Sequence, residues 1–210
     1  MTNPDYTHWH LIVDRSGSMA DVVKDAQGGI NQAIAEQRAL PGKLTVSITQ
    51  FDTVVDQVCH FVDISTLADY TLIPRGMTAL LDAVGEAITK TGEALARMPE
   101  DERPAHVLVQ IVTDGQENSS KDWDLPAIQA AIKRQQDDYG WIFSFIGAGE
   151  HAWMGKAMGT HSVSSYVPTG PGAQSAHVHA SASLGTLRGG GAYSMPEDIP
   201  EDHTHAHSHS

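Results

Sequence analysis

The hydrophobic pattern alternates between two periods along the chain. Short runs that are apolar at nearly every position, or at every second position, predict β-strands. The predicted strands are residues 8–13, 44–51, 54–62, 106–114, 141–148 and 161–167. Stretches with apolar residues three or four positions apart predict helices that bury one face. The predicted helices are residues 19–39, 79–96, 125–138, 151–158 and 173–188.

Strands that alternate with helices predict an α/β domain. Its doubly wound, mostly parallel sheet would carry helices on both faces. Asp52 and Thr53 alone separate the second and third predicted strands, which therefore form an antiparallel hairpin with one strand at an edge of the sheet. Residues 1–188 are expected to form one domain, since a chain of 210 residues suits a single core.

The end of the sequence differs in composition from the rest. Residues 189–210 are rich in Gly, Pro, acidic residues and histidine, which predicts a disordered acidic tail. Histidine-rich tracts bind zinc, nickel or copper. The four alternating histidines of this tail are therefore expected to have some affinity for such ions. They are His203, His205, His207 and His209.

The charge of the chain excludes one class of partner. The formal net charge is −13, so phosphate backbones would repel the protein, and nucleic-acid binding is not expected. No apolar run is long enough to span a membrane, and the first residues carry no signal-peptide pattern. The single Cys59 is expected to be a buried apolar residue. These features favour a cytoplasmic protein that does not bind membranes.

Oxygen-bearing side chains follow the predicted strands at three places. Asp14, Ser16 and Ser18 follow the first strand, Thr78 lies in a loop that opens a helix, and Asp114 ends the strand 106–114. Ligands of α/β sheets bind beyond the carboxyl ends of the strands. Each residue taken singly also fits a helix cap or a turn. Together they predict one cluster of two carboxylates and three hydroxyls.

A cluster of oxygen donors suits a hard divalent cation. Mg²⁺ fits better than Ca²⁺, because Mg²⁺ is usually held by one or two carboxylates and keeps part of its water shell. Mn²⁺ and Ca²⁺ remain alternatives. With few protein ligands, such an ion would keep a position open for a carboxylate from a partner.

The motifs that carry these residues resemble those of a known family. The sequence DRSGS is similar to the D-x-S-x-S pattern of von Willebrand factor A domains, GMTALLDA resembles their threonine loop, and VTDGQEN resembles their second-aspartate loop. The resemblance covers about residues 1–188 and implies a doubly wound sheet. Within the family, the chain is most similar to single-domain intracellular members of the kind found in bacteria and phages.

The resemblance also implies a metal-ion-dependent adhesion site (MIDAS). In such a site Ser16, Ser18 and Thr78 would bind Mg²⁺ directly, and Asp14 and Asp114 would act largely through water. The implied function is capture of an acidic residue of a protein partner. Related intracellular domains often work beside ring-shaped ATPases, so such an ATPase is a candidate partner in trans.

Two other functions remain open at this point. The first is a metal-dependent hydrolase or phosphatase that uses the same cluster. The sequence contains no G-x-S-x-G elbow and no poised cysteine–histidine pair, which favours a non-enzymatic module. The second is a structural subunit of a larger assembly, such as a viral particle.

Further loop residues are expected on the same face of the sheet. Arg75 precedes the threonine loop, where it would meet an acidic ligand or lie in solvent. Glu117, Asn118, Glu150 and His151 are candidates for setting partner choice.

Overall fold

The computed structural model describes residues 1–114, 117–167 and 169–199. The strands are β1 (Asn3–Asp14), β2 (Lys43–Phe51), β3 (Val55–Asp63), β4 (Pro104–Thr113), β5 (Ile142–Ala148), β6 (Ser162–Tyr166) and β7 (Asp198–Ile199). The helices are α1 (Val23–Arg38), α2 (Leu80–Arg97), α3 (Leu125–Tyr139), α4 (Trp153–Met158) and α5 (Gly170–Arg188). Within these described ranges, no helix is long and apolar enough to cross a membrane.

The seven strands form one sheet in the order β3-β2-β1-β4-β5-β6-β7. Every neighbouring pair is parallel except β2 and β3, which are antiparallel. This confirms the predicted α/β class and its antiparallel edge strand. β2 and β3 follow β1 towards one edge of the sheet, and β5, β6 and β7 follow β4 towards the other edge. The boundary between β1 and β4 is therefore the switch point at which ligands of such sheets bind.

Helices cover both faces of this sheet. On one face, Ile30 and Ile34 of α1 pack with Leu184 of α5 in a single buried cluster. On the other face, Val84 and Ile88 of α2 pack in a second cluster with α3 and β5. The predicted inward faces of these helices are thus confirmed, because the apolar residues at three- and four-residue spacing lie against the sheet.

Helix α3 shows how local sequence sets the ends of an element. Asp124 precedes the helix, and its side chain accepts a hydrogen bond of 2.8 Å from the amide of Ala127. Pro126 lies in the first turn, where its missing N–H costs no hydrogen bond. Gly140 ends the helix in the left-handed conformation, with φ 66°.

Residues 189–199 differ from the prediction of a disordered tail. The Tyr193 hydroxyl donates a hydrogen bond of 3.1 Å to Ser144, and Ile199 is buried in β7 beside β6. The apolar residues of this segment are sparse, so the average composition of the segment does not reveal that Tyr193, Met195 and Ile199 pack against the core. Residues 200–210 lie outside the described residues, and their disorder stays a prediction.

Candidate metal centre

The two predicted carboxylates lie at the carboxyl edge of adjacent strands. Asp14 is the last residue of β1, and Asp114 directly follows β4. β1 and β4 are parallel neighbours, with Val13 opposite Val112. Strand pairing therefore brings two residues that are distant in sequence to one end of the sheet.

Four of the five predicted residues form one chain of hydrogen bonds. The amide of Ser16 donates to Oδ1 of Asp14 at 2.7 Å, and Oγ of Ser16 lies 3.0 Å from Oγ of Ser18. The Ser18 hydroxyl donates to Oδ1 of Asp114 at 2.8 Å. A hydroxyl has one proton, so Ser18 accepts from Ser16 while it donates to Asp114. Asp14 and Ser16 are buried at one end of this series, Ser18 is exposed, and Asp114 at the other end is half-buried.

The fifth residue, Thr78, lies on a loop that is bound to both of the other loops. The amide of Gly17 donates to the carbonyl oxygen of Gly76 at 3.3 Å, which joins the serine loop to the threonine loop. The amide of Thr78 donates to Oδ1 of Asn118 at 2.9 Å, and the Asn118 amide donates back to the Thr78 carbonyl oxygen at 3.0 Å. The side chain of Thr78 is buried.

Burial controls the electrostatics of both carboxylates. It raises the pKa of Asp14 to about 6, although hydrogen bonds from Thr113 and Ser16 act in the opposite direction, and the charge of Asp114 adds to the increase. Burial likewise raises the pKa of Asp114 against the hydrogen bond from Ser18. Two carboxylates held close together in a partly dry site favour the approach of a cation.

A brace of four charged residues holds the serine loop against its neighbours. We use this name for Arg15, Asp52, Asp56 and Arg75. The buried carboxylate of Asp52 lies 2.7 Å from Nε of Arg15 and 2.7 Å from Nε of Arg75. Nη2 of Arg15 also donates to Asp56 at 2.5 Å. Burial raises the pKa of Asp52, but the Arg75 hydrogen bond and the two guanidinium charges outweigh it, and the net pKa is lowered.

Backbone hydrogen bonds extend the brace. The Arg75 amide donates to the carbonyl oxygen of Arg15 at 2.7 Å, and the Ala79 amide donates to that of Asp52 at 2.8 Å. The sequence predicted that Arg75 meets an acidic ligand or lies in solvent. Its side chain is 56% exposed, and it also pairs with two aspartates of this chain. The position of Asp52 directly after β2 places it at the same edge of the sheet as the site, but does not identify its arginine partners.

The loop after β4 is anchored by residues that were predicted to set partner choice. The Glu117 carboxylate accepts hydrogen bonds from the amides of Leu81 at 3.0 Å and Ser120 at 2.8 Å, and Asn118 holds Thr78. Both residues therefore fix the loop onto the start of α2. His151 lies close enough for its charge to lower the pKa of Asp114. The side chain of Glu150 is not among those described.

The donor set fits a hard cation. Across the part of the chain that the structure describes, no three His, Cys, Asp or Glu side chains cluster to hold a metal, so an ion here has to use hydroxyl or water oxygens as well. Neighbouring ligands of octahedral Mg²⁺ lie about 2.9 Å apart, from Mg–O distances near 2.0–2.1 Å. The separation of 3.0 Å between the hydroxyl oxygens of Ser16 and Ser18 is close to that spacing.

Comparison with solved structures identifies the fold. No protein-family model matches the sequence, and no curated protein matches it. The von Willebrand factor domain of the type V pili tip protein Mfa5 from Porphyromonas gingivalis is 11% identical, covers 85% of this chain and 94% of that chain, and gives a TM-score of 0.55. A von Willebrand factor type A protein from Catenulispora acidiphila is 14% identical over 77% of this chain and 38% of that one, with a TM-score of 0.53.

A third structure has a known metal content. The manganese-loaded TRAP protein of Plasmodium vivax is 16% identical over 70% of this chain and 59% of that chain, with a TM-score of 0.49. This chain thus spans less than two thirds of the Catenulispora and Plasmodium chains. The Mfa5 and Catenulispora structures show that the chain has the von Willebrand factor A fold, as its motifs implied.

Proposed function

We propose that this chain is a non-enzymatic protein-binding module whose MIDAS holds Mg²⁺ and captures an acidic residue of a protein partner. The observation that carries the proposal is the cluster of oxygens at the carboxyl ends of β1 and β4, where Asp14, Ser16, Ser18 and Asp114 are joined by hydrogen bonds. The hydroxyl oxygens of Ser16 and Ser18, two of the proposed direct ligands, lie 3.0 Å apart, close to the spacing of about 2.9 Å between neighbouring ligands of Mg²⁺. Mn²⁺ would suit the same donors.

The proposed ligands fall into two groups, those that bind the ion directly and those that act through water. Ser16, Ser18 and Thr78 would bind the ion directly, and Asp14 and Asp114 would act largely through water. Asp14 is fixed by its hydrogen bonds to the Ser16 amide and to the Thr113 hydroxyl at 2.5 Å. When bound, Mg²⁺ supplies a coordination position that an incoming carboxylate fills. The exposed side of Ser18 leaves room for that carboxylate.

The burial of Asp14 supports binding in preference to catalysis. Its oxygens accept hydrogen bonds from the Ser16 amide and the Thr113 hydroxyl. A buried carboxylate engaged in this way is poorly placed to act as a general base on a substrate, which a hydrolase or phosphatase built on this residue would need. A metal-dependent turnover of phosphate or ester substrates that Asp14→Asn abolishes would favour that rival.

The first test is the effect of Mg²⁺ on thermal unfolding. A ligand at about 100 times its Kd stabilises the folded state by about 2.7 kcal/mol. We expect the wild-type chain to gain Tm with MgCl₂, and Asp14→Asn to lose that gain. Mg²⁺ is the ion of choice, because the histidines of residues 203–209 prefer softer metals.

Asp63→Asn is the control, since Asp63 is an exposed carboxylate at the end of β3. It should keep the full Mg²⁺ effect. Equal shifts in the wild type and both variants, or no shift in the wild type, would contradict the proposed metal centre.

A further inference from the structure

A groove of about 540 Å³ opens directly beside the threonine loop. We call it the α2 groove. Residues 53–55 line one side, Ser119 and residues 121–123 line the other, and the first turns of α2 form its floor. Two of its lining residues form hydrogen bonds with the backbone of the threonine loop. Oγ1 of Thr53 accepts the amide of Met77 at 3.0 Å, and the Ser119 amide donates to the Thr78 carbonyl oxygen at 3.2 Å.

Apolar side chains lie in this groove and on the threonine loop beside it. Met77, next to Thr78, is 51% exposed, and Val54 is 50% exposed. Val55 and Trp123 line the groove further on and are partly buried against the core. Exposed apolar side chains that lie together beside a polar site are typical of an interaction surface.

One wall of the groove is rigid. The carboxylate of Asp82 accepts the backbone amides of Lys121 at 2.8 Å, Asp122 at 3.0 Å and Trp123 at 2.9 Å. The indole of Trp123 in turn lies against Gly85 of α2. The apolar surface is therefore formed before a ligand arrives, which lowers the entropy cost of binding.

The charge around the groove is mainly negative. Asp82, Glu86 and Asp122 line it together with one base, Lys121. Lys90, one turn further along α2, pairs with Glu86, so three acids face two bases. The formal net charge of the whole chain is −13. A partner that supplies a carboxylate to the metal is therefore attracted best when the rest of its binding segment is basic.

We propose that the α2 groove receives a peptide segment of the protein partner in which the metal-bound acidic residue is followed by a large apolar residue and flanked by basic ones. The apolar side chain packs on Val54, Val55 and Trp123. This inference rests on the proposed function, because the acidic residue is placed by the ion.

Synthetic peptides test the surface without knowledge of the natural partner. The probe is acetyl-Lys-Glu-Phe-Lys-amide, followed by amide NMR shifts of the ¹⁵N-labelled chain in MgCl₂. We expect saturable shifts at residues 53–55 and 121–123. Replacing Phe by Ser in the peptide should weaken binding about tenfold, and replacing Glu by Gln should abolish it.

Val54→Ser and Val58→Ser form a matched pair. Both valines belong to the β2–β3 hairpin and are about equally exposed, at 50% and 48%, but only Val54 lines the groove. Val54→Ser should lower the affinity for the probe about tenfold, and Val58→Ser should leave that affinity unchanged.

The outcomes separate the two proposals. The groove inference is overturned if the chain binds Mg²⁺ but the probe does not bind or binds elsewhere. It is also overturned if neither the Phe-to-Ser change in the peptide nor Val54→Ser weakens binding of the probe. The proposed metal centre stands in all of these cases. If Mg²⁺ itself does not bind, the proposed function fails first.

Discussion

Ser18 donates a hydrogen bond of 2.8 Å to Asp114, although 96 positions separate the two residues along the chain. The contact exists because β1 and β4 pair in parallel and end side by side. An exposed hydroxyl and a half-buried carboxylate thus close the outer side of the site, where a ligand of the ion would arrive.

Ser18→Ala should separate metal binding from folding. The variant removes a proposed direct ligand, and we expect the Mg²⁺ affinity measured by calorimetry to fall about tenfold or more. Because Ser18 is exposed, the free energy of unfolding in chelator should change by less than about 0.5 kcal/mol. Ser65→Ala is the control, since Ser65 is also exposed and its hydroxyl donates to Asp63 at 2.6 Å. Unchanged Mg²⁺ affinity in Ser18→Ala would remove Ser18 from the ligand set.

Asp52→Asn tests whether the brace positions the metal centre. The change leaves the buried Arg15 with the partly exposed Asp56 as its remaining partner. We therefore expect the free energy of unfolding, measured with urea, to fall by about 3 kcal/mol. We also expect the Mg²⁺ affinity of the folded variant to fall about tenfold, because the threonine loop loses an anchor.

Asp56→Asn is a matched control for the brace. Asp56 contacts the same two arginines but is half exposed, so its removal should cost less than about 1 kcal/mol. A destabilised Asp52→Asn with wild-type Mg²⁺ affinity would show that the brace supports the fold without positioning the site.

Two glycines of α2 provide opposite predictions. A Cβ at Gly85 would lie 2.2 Å from the indole of Trp123, whereas a Cβ at Gly92 would meet nothing within 4 Å. Gly85→Ala should therefore lower the free energy of unfolding by about 1–3 kcal/mol and displace Trp123 from the α2 groove. Gly92→Ala should raise it by about 0.5–1 kcal/mol. Thermal unfolding of both variants checks the pair, and a stabilised Gly85→Ala would contradict the packing of Trp123.

The buried His10 should make the protein sensitive to acid. Its two ring nitrogens lie 2.7 Å from Oγ1 of Thr91 and 2.8 Å from Oγ1 of Thr49. Burial, helped by the charges of His60 and Lys90, lowers the pKa of His10 from 6.5 to about 3. The unfolded chain therefore takes up this proton first, and the stability present above pH 6.5 is lost as the pH falls towards 3.

Comparison of His10→Gln with the wild type isolates that contribution. Between pH 6 and pH 4, the free energy of unfolding of the wild type should fall more steeply than that of the variant, by about 1.4 kcal/mol per pH unit. Urea titrations at several pH values give both slopes. Parallel slopes would mean that His10 is protonated in the folded protein.

The elements with a strong period were predictable from sequence, and the departures have physical causes. α2 and α5 carry apolar residues at helical spacing throughout, and both were predicted nearly to their ends. The predicted helix 19–39 begins only at Val23, because a 3₁₀ turn at Gly17–Asp21 carries Ser18 at the site. β1 begins five residues earlier than its apolar run, since pairing with β2 and β4 extends its polar start.

The candidate site residues could be proposed from the sequence because their motifs are local. The motif DRSGS contains three of these residues, and their spacing can be recognised directly in the sequence. Thr113, which fixes Asp14, and Asp52, which joins two arginines, act through contacts between distant loops. No local pattern marks such contacts, so they required the fold.

The direction of β7 has a practical consequence for tethering. β7 runs parallel to β6, so the chain reaches Ile199 at the same edge of the sheet as Asp114. Three strand spacings, about 14 Å, separate β7 from β4. A ligand peptide fused beyond Ile199 through a flexible linker would therefore sample the site at a millimolar effective concentration. Attachment before Asn3, at the opposite edge, would instead anchor the protein with its binding face turned outward.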